Sequence, residues 1–308
     1  MRLLAATTAA EWMSYYKLLG LSREPFSTSP DPHFFYLSEA HRSALYRIRI
    51  AVKLQRGLHL VLGDVGTGKT TLSRRLAQLL PQDGPIDFHV ILNPLFESDQ
   101  RFLMALADAF HVELPGGEPS MRTLLTALER HLFQRGVEEQ RIVVLLIDEA
   151  QQLSPGNLEI LRALLNYETE DRKLLQLILM AQLEFLPTLR GLRALWDRIS
   201  LRYLLNPLDE RETRAMIAYR LQQAGYAGRE ALFSEEAFQE IYVLTQGYPR
   251  RIAQLCHDAL ERLVMDGRGS VTPELLRELA AHDERLLHAR PRHDALLSSA
   301  TAGAGKAA

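Results

Sequence analysis

The sequence predicts an α/β fold, a parallel sheet between two layers of helices, followed by an all-helical domain. Three observations predict it. Apolar runs that fit strands alternate with segments of helical periodicity, a pattern typical of parallel sheets. A glycine-rich segment joins the first apolar run to the helix that follows it. After Pro207 the strand signal ends, and only helical periodicity continues.

The elements of the first domain follow from this alternation. The apolar runs are short and largely uninterrupted, as in strands that are buried on both faces of a parallel sheet. We expect five strands, at 58–62, 86–92, 142–147, 174–181 and 199–205. We expect helices at 38–55, 72–80, 100–112, 121–133 and 157–167, the first with Ser38 as a candidate N-cap.

Four helices are predicted after the change in composition, which places a domain boundary near residues 206–208. They are expected at 209–224, 234–246, 249–265 and 273–288. The sequence thus predicts a flexible extension at 1–12, a core domain at 13–207, a helical domain at 208–288 and a disordered tail at 289–308. Met13 is an alternative start, because the informative sequence begins there.

The composition excludes several classes of protein. The 308 residues include 36 basic and 38 acidic side chains, so no overall basicity indicates a nucleic-acid partner. Cys256 is the only cysteine, which rules out an internal disulfide and fits a reducing compartment. No apolar run approaches the roughly 20 residues of a membrane-spanning helix. The first residues are too short and too weakly apolar for a signal peptide. We therefore expect a soluble, cytoplasmic protein.

The glycine-rich segment fits the phosphate-binding P-loop pattern G-x-x-x-x-G-K-[ST]. Its glycines allow the backbone N–H groups to turn inward, where they hold phosphate oxygens together with the start of the next helix. Lys69 is expected to reach the β- and γ-phosphates, and Thr70 to offer its hydroxyl to Mg²⁺. The predicted nucleotide-binding residues are Gly63, Asp64, Val65, Gly66, Thr67, Gly68, Lys69, Thr70 and Thr71. A glycine-rich turn without a ligand is the alternative.

The apolar strand predicted at 142–147 ends in two carboxylates, Asp148 and Glu149. In P-loop enzymes such a strand is the Walker B element. Asp148 is predicted to hold Mg²⁺ alongside Thr70, and Glu149 to accept a proton from the attacking water or to orient that water. The pair favours a hydrolase over a nucleotide-dependent switch. A strand that simply ends in a polar turn is the alternative.

Three more polar residues are candidates for the same site. Gln182 follows a predicted strand, where side chains face the ligand, and is a candidate γ-phosphate sensor. Arg198 precedes the last strand and is a candidate arginine finger that acts on a neighbouring subunit, with Arg193 and Arg202 as the other candidates. Arg250 begins a helix after a Gly-Tyr-Pro turn and is expected to point at the phosphates from the helical domain.

Two segments leave alternatives open. Phe26 and Phe34 lie in the irregular stretch 20–35 and either plug the body of the protein or belong to an arm that borders the adenine. Four basic residues share one strip of the helix predicted at 38–55, either as a solvated flank or as a surface for an anionic partner such as DNA or acidic lipid. These four residues are Arg42, Arg49, Lys53 and Arg56.

With these motifs, the chain resembles the ExeA-type (GspA-like) AAA+ ATPases. The resemblance runs from about residue 13 to residue 285, and its combination of motifs is specific. The similar segments are Tyr15–Leu21, Pro25–Phe26, Pro30–Pro32, Phe34, Gly63–Thr71, Ile147–Gln151, Leu158–Arg162, Asn166–Thr169, Lys173–Gln176, Arg198–Ile199, Arg202–Tyr203, Pro207–Leu208 and Tyr248–Ile252.

This resemblance implies a P-loop NTPase core of the AAA+ type with a helical lid domain, ATP and Mg²⁺ as cofactors, and the residue roles given above. It also implies a ring-like homo-oligomer, with a hexamer expected, and a protein partner in a cell-envelope machine for secretion, pili or polysaccharide export. We expect the protein in the cytoplasm or at the periphery of the inner membrane. In the family, a membrane span and a peptidoglycan-binding part follow the ATPase, and neither is recognisable before residue 308. We therefore expect the ATPase without that anchor.

An ATP-dependent DNA-binding regulator, similar to transposition ATPases, is the alternative function. The basic strip on the helix at 38–55 motivates it. The near-neutral charge and the lack of a recognisable DNA-reading motif stand against it.

Overall fold

A computed structural model of the chain describes residues 14–27, 32–114, 117, 119–228 and 231–281. The predicted extension at 1–12, the alternative start at Met13, the end of the last helix and the tail at 289–308 lie outside the described residues. The chain divides into two compact units. The first, called the sheet unit, is Leu37–Asn206, and the second, called the helical unit, combines the described residues up to Tyr36 with those from Pro207 onward.

The sheet unit contains one five-stranded sheet. Its strands are β1 (Leu58–Leu62), β2 (Ile86–Ile91), β3 (Ile142–Ile147), β4 (Leu175–Ala181) and β5 (Ile199–Leu204). The strand order is β2-β3-β4-β1-β5, and every neighbouring pair is parallel. Because β4 lies between β1 and β3, the ends of these three strands meet at one edge of the sheet. The predicted parallel α/β sheet is confirmed.

The helices connect and cover these strands. In chain order, the helices of the described residues are α1 (Tyr15–Leu18), α2 (Glu39–Lys53), α3 (Lys69–Leu79), α4 (Asp99–Ala109), α5 (Met121–Phe133), α6 (Pro155–Leu164), α7 (Leu186–Gly191), α8 (Arg193–Trp196), α9 (Glu210–Gln223), α10 (Glu235–Thr245), α11 (Pro249–Asp266) and α12 (Pro273–Ala281). Short helices α7 and α8 lie in a stretch to which the sequence assigned no element.

Two apolar clusters hold the sheet unit together, one on each face of the sheet. Alternate residues of a strand point to opposite faces, so Leu145 and Leu146 of β3 belong to different clusters. Helices α4, α5 and α6 contribute to the cluster on the Leu145 face. Helices α2 and α3 contribute to the cluster on the Leu146 face. The result is the predicted three-layer arrangement.

The helical unit has its own apolar core, built from α9, α10, α11 and α12. Phe26 and Phe34 are buried in this core, and the Phe26 ring meets the Phe233 ring edge to face at 6.2 Å. The sequence assigned residues 13–207 to one domain, but the described residues from 14 to 36 group with the helical unit instead. The reason is that their aromatic side chains bury against α9–α12, so the two phenylalanines plug the helical unit.

Helix ends are set by side chains that the sequence already indicates. The Ser38 hydroxyl accepts the N–H of His41, which confirms Ser38 as the N-cap of α2. Asp209 and Ser234 cap α9 and α10 in the same way. A search of the described residues found no helix that combines the length and the apolar character needed to cross a bilayer.

Candidate nucleotide-binding site

The loop between β1 and α3 has the backbone shape of a phosphate cradle. Gly66 and Gly68 have φ angles of 84° and 99°, in the left-handed region that glycine tolerates best. A Cβ atom at Gly63 would lie 2.8 Å from the Thr67 hydroxyl oxygen and 2.9 Å from the Leu205 carbonyl oxygen. A side chain at Gly63 would clash with the residues packed against the loop. The geometry of the loop therefore requires glycine at all three positions.

Lys69 is the first residue of α3, and its ammonium group lies across this loop. Nζ donates to the carbonyl oxygens of Gly63 at 2.8 Å and Asp64 at 3.0 Å. The side chain is buried, and burial lowers the Lys69 pKa, whereas the nearby carboxylates Glu149, Asp148 and Asp64 raise it. A buried cation whose partners are neutral carbonyls is well placed to exchange them for phosphate oxygens.

Asp148 follows β3 directly and reaches the start of α3. The backbone N–H of Glu149 donates to its carboxylate at 3.0 Å. Asp148 is 2% exposed, and burial raises its pKa, although the nearby Thr70 hydroxyl, the Glu149 N–H and the Lys69 charge act in the opposite direction. The structure thus brings together Thr70 and Asp148, the two residues that the sequence predicts as metal ligands. A carboxylate and a hydroxyl oxygen in contact form a donor set that suits Mg²⁺.

Glu149 has a left-handed backbone, with φ 52° and ψ 39°. This region is uncommon for a residue other than glycine and costs of the order of 1 kcal/mol or more. Two amides meet the carboxylate: the side chains of Gln151 and Gln182 both donate to Glu149 Oε2, the latter at 3.1 Å. Gln182 follows β4, so the predicted sensor and the predicted base are in direct contact.

His41 is a residue of this site that the sequence did not single out. Its Nε2 lies 3.2 Å from the Thr67 carbonyl oxygen, and its Nδ1 lies 2.7 Å from the Ser38 hydroxyl. A Cβ atom at Gly68 would lie 2.7 Å from His41 Nε2. Since a carbonyl only accepts, Nε2 carries the proton and Nδ1 accepts from Ser38. His41 therefore supports the loop from its buried side.

The chemistry of His41 fits this supporting role. It is 2% exposed, and burial lowers its pKa to about 4, so the imidazole is neutral near pH 7. One signal could have indicated it: His41 falls on the apolar face of α2, at helical spacing from Leu45, Ile48 and Val52. A polar residue in such a stripe needs a partner, and its partner here is the P-loop backbone.

Arg198 lies at the opposite edge of the sheet. It immediately precedes β5, whereas Lys69 and Asp148 follow the carboxyl ends of β1 and β3. A parallel strand of this length separates the two edges by about 20 Å. Arg198 donates to the Ala194 carbonyl at 2.6 Å and to the Asn166 side-chain oxygen at 2.8 Å. The structure therefore does not bring Arg198 to the P-loop of its own subunit.

Arg202 and Arg193, the other two candidates for the arginine finger, differ in their environment. The guanidinium of Arg202 stacks on the Trp196 ring, 3.9 Å from its centroid, and donates to the Trp196 carbonyl at 3.0 Å. Burial lowers the Arg202 pKa. Arg193 is exposed at the start of α8. Arg202 is thus engaged with an aromatic ring of its own chain, which makes it the least available of the three.

Arg250 lies in the helical unit, exposed in the first turn of α11. The preceding Gly247 has φ 73°, and a Cβ atom there would lie 1.9 Å from the Leu208 carbonyl oxygen. Leu208 also donates its N–H to the Gly247 carbonyl at 2.9 Å. This contact fixes the turn that starts α11 against the first residues after the sheet unit.

The basic strip on α2 is less free than the sequence indicated. Asp83 forms ion pairs with Arg49 and Lys53, at 3.8 Å in the case of Lys53. The Arg49 guanidinium meets both oxygens of the Asp83 carboxylate. Two of the four cations therefore share one acid, which weakens the observation behind the DNA-binding alternative.

Comparison with known proteins agrees with this geometry. A family model described as an AAA domain matches residues 52–189. The chain is 41% identical over 249 residues to the general secretion pathway protein A of Aeromonas hydrophila, across 80% of this chain and 44% of that protein. The chain thus spans less than half the length of this curated relative. The predicted family resemblance is confirmed.

Solved structures share the fold at low identity. Drosophila ORC bound to DNA has a TM-score of 0.62 and 22% identity, covering 90% of this chain and 68% of that one. Cdc6p from Pyrobaculum aerophilum has a TM-score of 0.61 and 20% identity, covering 87% and 74%. The RuvB branch migration motor of Thermotoga maritima has a TM-score of 0.51 and 19% identity, covering 78% and 67%. At these identities the similarity shows the fold alone.

Proposed function

The chain belongs to the AAA family of ATPases, of the general secretion pathway protein A type, and from this premise we propose that it binds ATP with Mg²⁺ and hydrolyses it at a site between subunits. The main support for this proposal is that three side chains lie together at the C-terminal ends of the parallel strands. Lys69 donates to carbonyls of the P-loop, the buried Asp148 accepts from the Glu149 N–H, and Glu149 accepts from the side-chain amide of Gln182.

The residues present fit the nucleotide and the ion. The loop from Gly63 to Thr71 would hold the phosphates with its N–H groups, and Lys69 would leave the carbonyls of Gly63 and Asp64 for phosphate oxygens. Thr70 and Asp148 would hold Mg²⁺, whose charge offsets that of the phosphates. The influence of the Thr70 hydroxyl on the Asp148 carboxylate, whose pKa it lowers, supports this assignment.

Glu149 is the proposed general base. Its carboxylate would take a proton from the attacking water, or align that water with the γ-phosphorus, while the bond to the leaving β-phosphate oxygen breaks. The strained backbone and the hydrogen bond from Gln182 favour one position of this carboxylate. Gln182 would sense the γ-phosphate by exchanging part of this contact for the ligand.

Two arginines are proposed to complete the site. Arg198 lies far from the P-loop of its own subunit, so we assign it to the site of a neighbouring subunit in a ring-like homo-oligomer, with a hexamer expected. Arg250, at the start of α11, is proposed to bring the helical lid to the phosphates. Hydrolysis would then change the position of the lid and the contacts of the ring with a partner protein.

The proposed cellular role is ATP-driven work for a cell-envelope machine, in secretion, pilus or polysaccharide export. The relative named general secretion pathway protein A supports this role. The proposed place is the cytoplasm or the periphery of the inner membrane.

Turnover at increasing protein concentration tests this function. If the site is completed by a neighbouring subunit, phosphate release per subunit rises with protein concentration in parallel with oligomer formation, and it requires Mg²⁺. Nucleotide binding without any phosphate release in the assembled state would contradict hydrolysis. Turnover that is independent of concentration, in a chain that stays monomeric, would contradict the intersubunit site.

A further inference from the structure

Helix α2 carries an exposed apolar ridge on the side opposite its buried face. Tyr46 and Ile50 of α2, and Leu54 at its C-cap, follow one another at four-residue spacing and are 67%, 39% and 54% exposed. Residues at this spacing lie above one another on a helix. The buried face, which includes Ile48 and Val52, lies half a turn away. A single exposed apolar residue is common, but three in one row form a continuous surface.

Basic side chains flank this ridge. Arg42, Arg47 and Arg56 are exposed on the same helix or just after it. Arg49 and Lys53 share Asp83, so these three side chains together add one net positive charge, and the two cations are 35% and 50% exposed. The Asp83 side chain is only 9% exposed, so it lies beneath the cations that it neutralises. Glu39, in the first turn, is the acidic residue of the helix. The outward surface is therefore apolar at its centre and positive around it.

We propose that this surface of α2 docks on an anionic lipid bilayer. An amphipathic helix that lies on a membrane places apolar side chains at the boundary of the acyl chains and cations at the headgroup phosphates. Tyr46 suits this position, since tyrosine is enriched at membrane interfaces. Duplex DNA fits less well, because its phosphates would meet the apolar ridge in the middle of the contact. An anionic membrane is the partner that matches both the apolar ridge and the cations around it.

The proposal deepens the peripheral location given under the proposed function but is independent of ATP hydrolysis. None of the ridge residues belongs to the nucleotide site. Loss of membrane binding with normal ATP turnover, or the reverse, therefore separates the two proposals.

Flotation of the whole chain with lipid vesicles tests this inference. We expect the protein to bind vesicles that contain phosphatidylglycerol and phosphatidylcholine, and not vesicles of phosphatidylcholine alone. The triple variant Tyr46→Ser, Ile50→Ser, Leu54→Ser should bind about tenfold more weakly or worse, because it loses the apolar contact. Replacing Arg42, Arg47 and Arg56 by alanine should weaken binding about fivefold per residue at low salt, and less at high salt.

A matched control is available in the helical unit. Leu18, Val243 and Met265 are 53%, 53% and 73% exposed, so the triple variant Leu18→Ser, Val243→Ser, Met265→Ser removes a similar apolar surface elsewhere. It should bind vesicles as the wild type does. Thermal melting and ATP turnover check that each variant folds. Equal binding of the ridge and control variants would overturn the proposal. So would a ridge variant whose only defect is in duplex DNA binding or in self-association.

Discussion

The side-chain amide of Gln182 donates to the Glu149 carboxylate at 3.1 Å, which joins the ends of two neighbouring strands, β4 and β3. The same carboxylate oxygen also accepts from Gln151. Glu149 is thus oriented by side chains, in addition to its left-handed backbone. Because of this contact, we expect Gln182 to orient the carboxylate of Glu149 during ATP hydrolysis.

Removing the Gln182 amide should slow hydrolysis more than it weakens ATP binding. In Gln182→Ala, we expect kcat to fall about tenfold with KM nearly unchanged, since the base keeps its charge but loses one orienting contact. Steady-state phosphate release measures both constants. The control is Gln152→Ala, because Gln152 is an exposed amide in the short turn Ala150–Gln152 that follows Glu149. A large rise in KM without a change in kcat would instead indicate that Gln182 only contributes to binding.

Lys69→Ala should lose ATP binding. The variant removes the one ammonium group that lies across the loop, and we expect an affinity at least about a hundredfold lower, as for a buried charge-assisted contact. Fluorescent-nucleotide titration or calorimetry measures the affinity. Arg75→Ala is a matched control, since Arg75 is an exposed cation on the same helix. Near-normal ATP affinity in Lys69→Ala would refute the P-loop assignment.

His41 should make the sheet unit less stable in acid. Its pKa is about 4 in the folded chain against 6.5 ordinarily, so the unfolded chain binds more protons between these two values. Stability is therefore fully present above about pH 6.5 and falls as the pH decreases towards about 4, by up to roughly 1.4 kcal/mol per pH unit. Buried His59, whose pKa is also about 4, adds to this slope.

The His41 share of this slope can be isolated. In His41→Gln, urea unfolding across this pH range should show a reduced slope, and ATP affinity near pH 7 should fall because the Thr67 carbonyl is held less firmly. His111→Gln, at an exposed position, should leave the ATP affinity unchanged. A pH slope identical to the wild type would show that His41 does not titrate as described.

Arg198→Ala should be inactive alone and yet complement a partner. Mixed oligomers of Arg198→Ala with Lys69→Ala should regain hydrolysis, because some interfaces then combine an intact P-loop with an intact arginine. Arg202→Ala should mainly lower stability, by about 1 kcal/mol, through loss of the stacking on Trp196. Full activity of Arg198→Ala in the assembled state would exclude it as the finger.

Much of the fold could be predicted from periodicity. The strand at 142–147 was predicted with its observed bounds, because a fully buried parallel strand is apolar throughout. The strand order could not be read from such runs, since it depends on which helices cover which face. The described residues between 14 and 36 group with the helical unit, which the sequence could not indicate because an irregular segment carries no periodic signal. Their aromatic side chains find their partners only in the folded helical unit.

The sequence predicts those parts of the candidate site whose residues lie together in a single short motif. The P-loop and the Asp148–Glu149 pair are local in sequence, and the structure places them at one edge of the sheet. The contact between His41 and Thr67 joins residues 26 positions apart and leaves no motif. The pairing of Arg49 and Lys53 with Asp83 is equally non-local. Long-range polar contacts of this kind depend on packing and escape pattern analysis.

The most direct test of the central claim is single-turnover phosphate release by Glu149→Gln. This change keeps the size of the side chain and one acceptor oxygen for the amides of Gln151 and Gln182, but it removes the ability to accept a proton. We predict that the variant binds ATP with Mg²⁺ as tightly as the wild type, while phosphate release falls by a factor of about a hundred or more. Tight binding with wild-type phosphate release would contradict the account, because Glu149 would then not be the base.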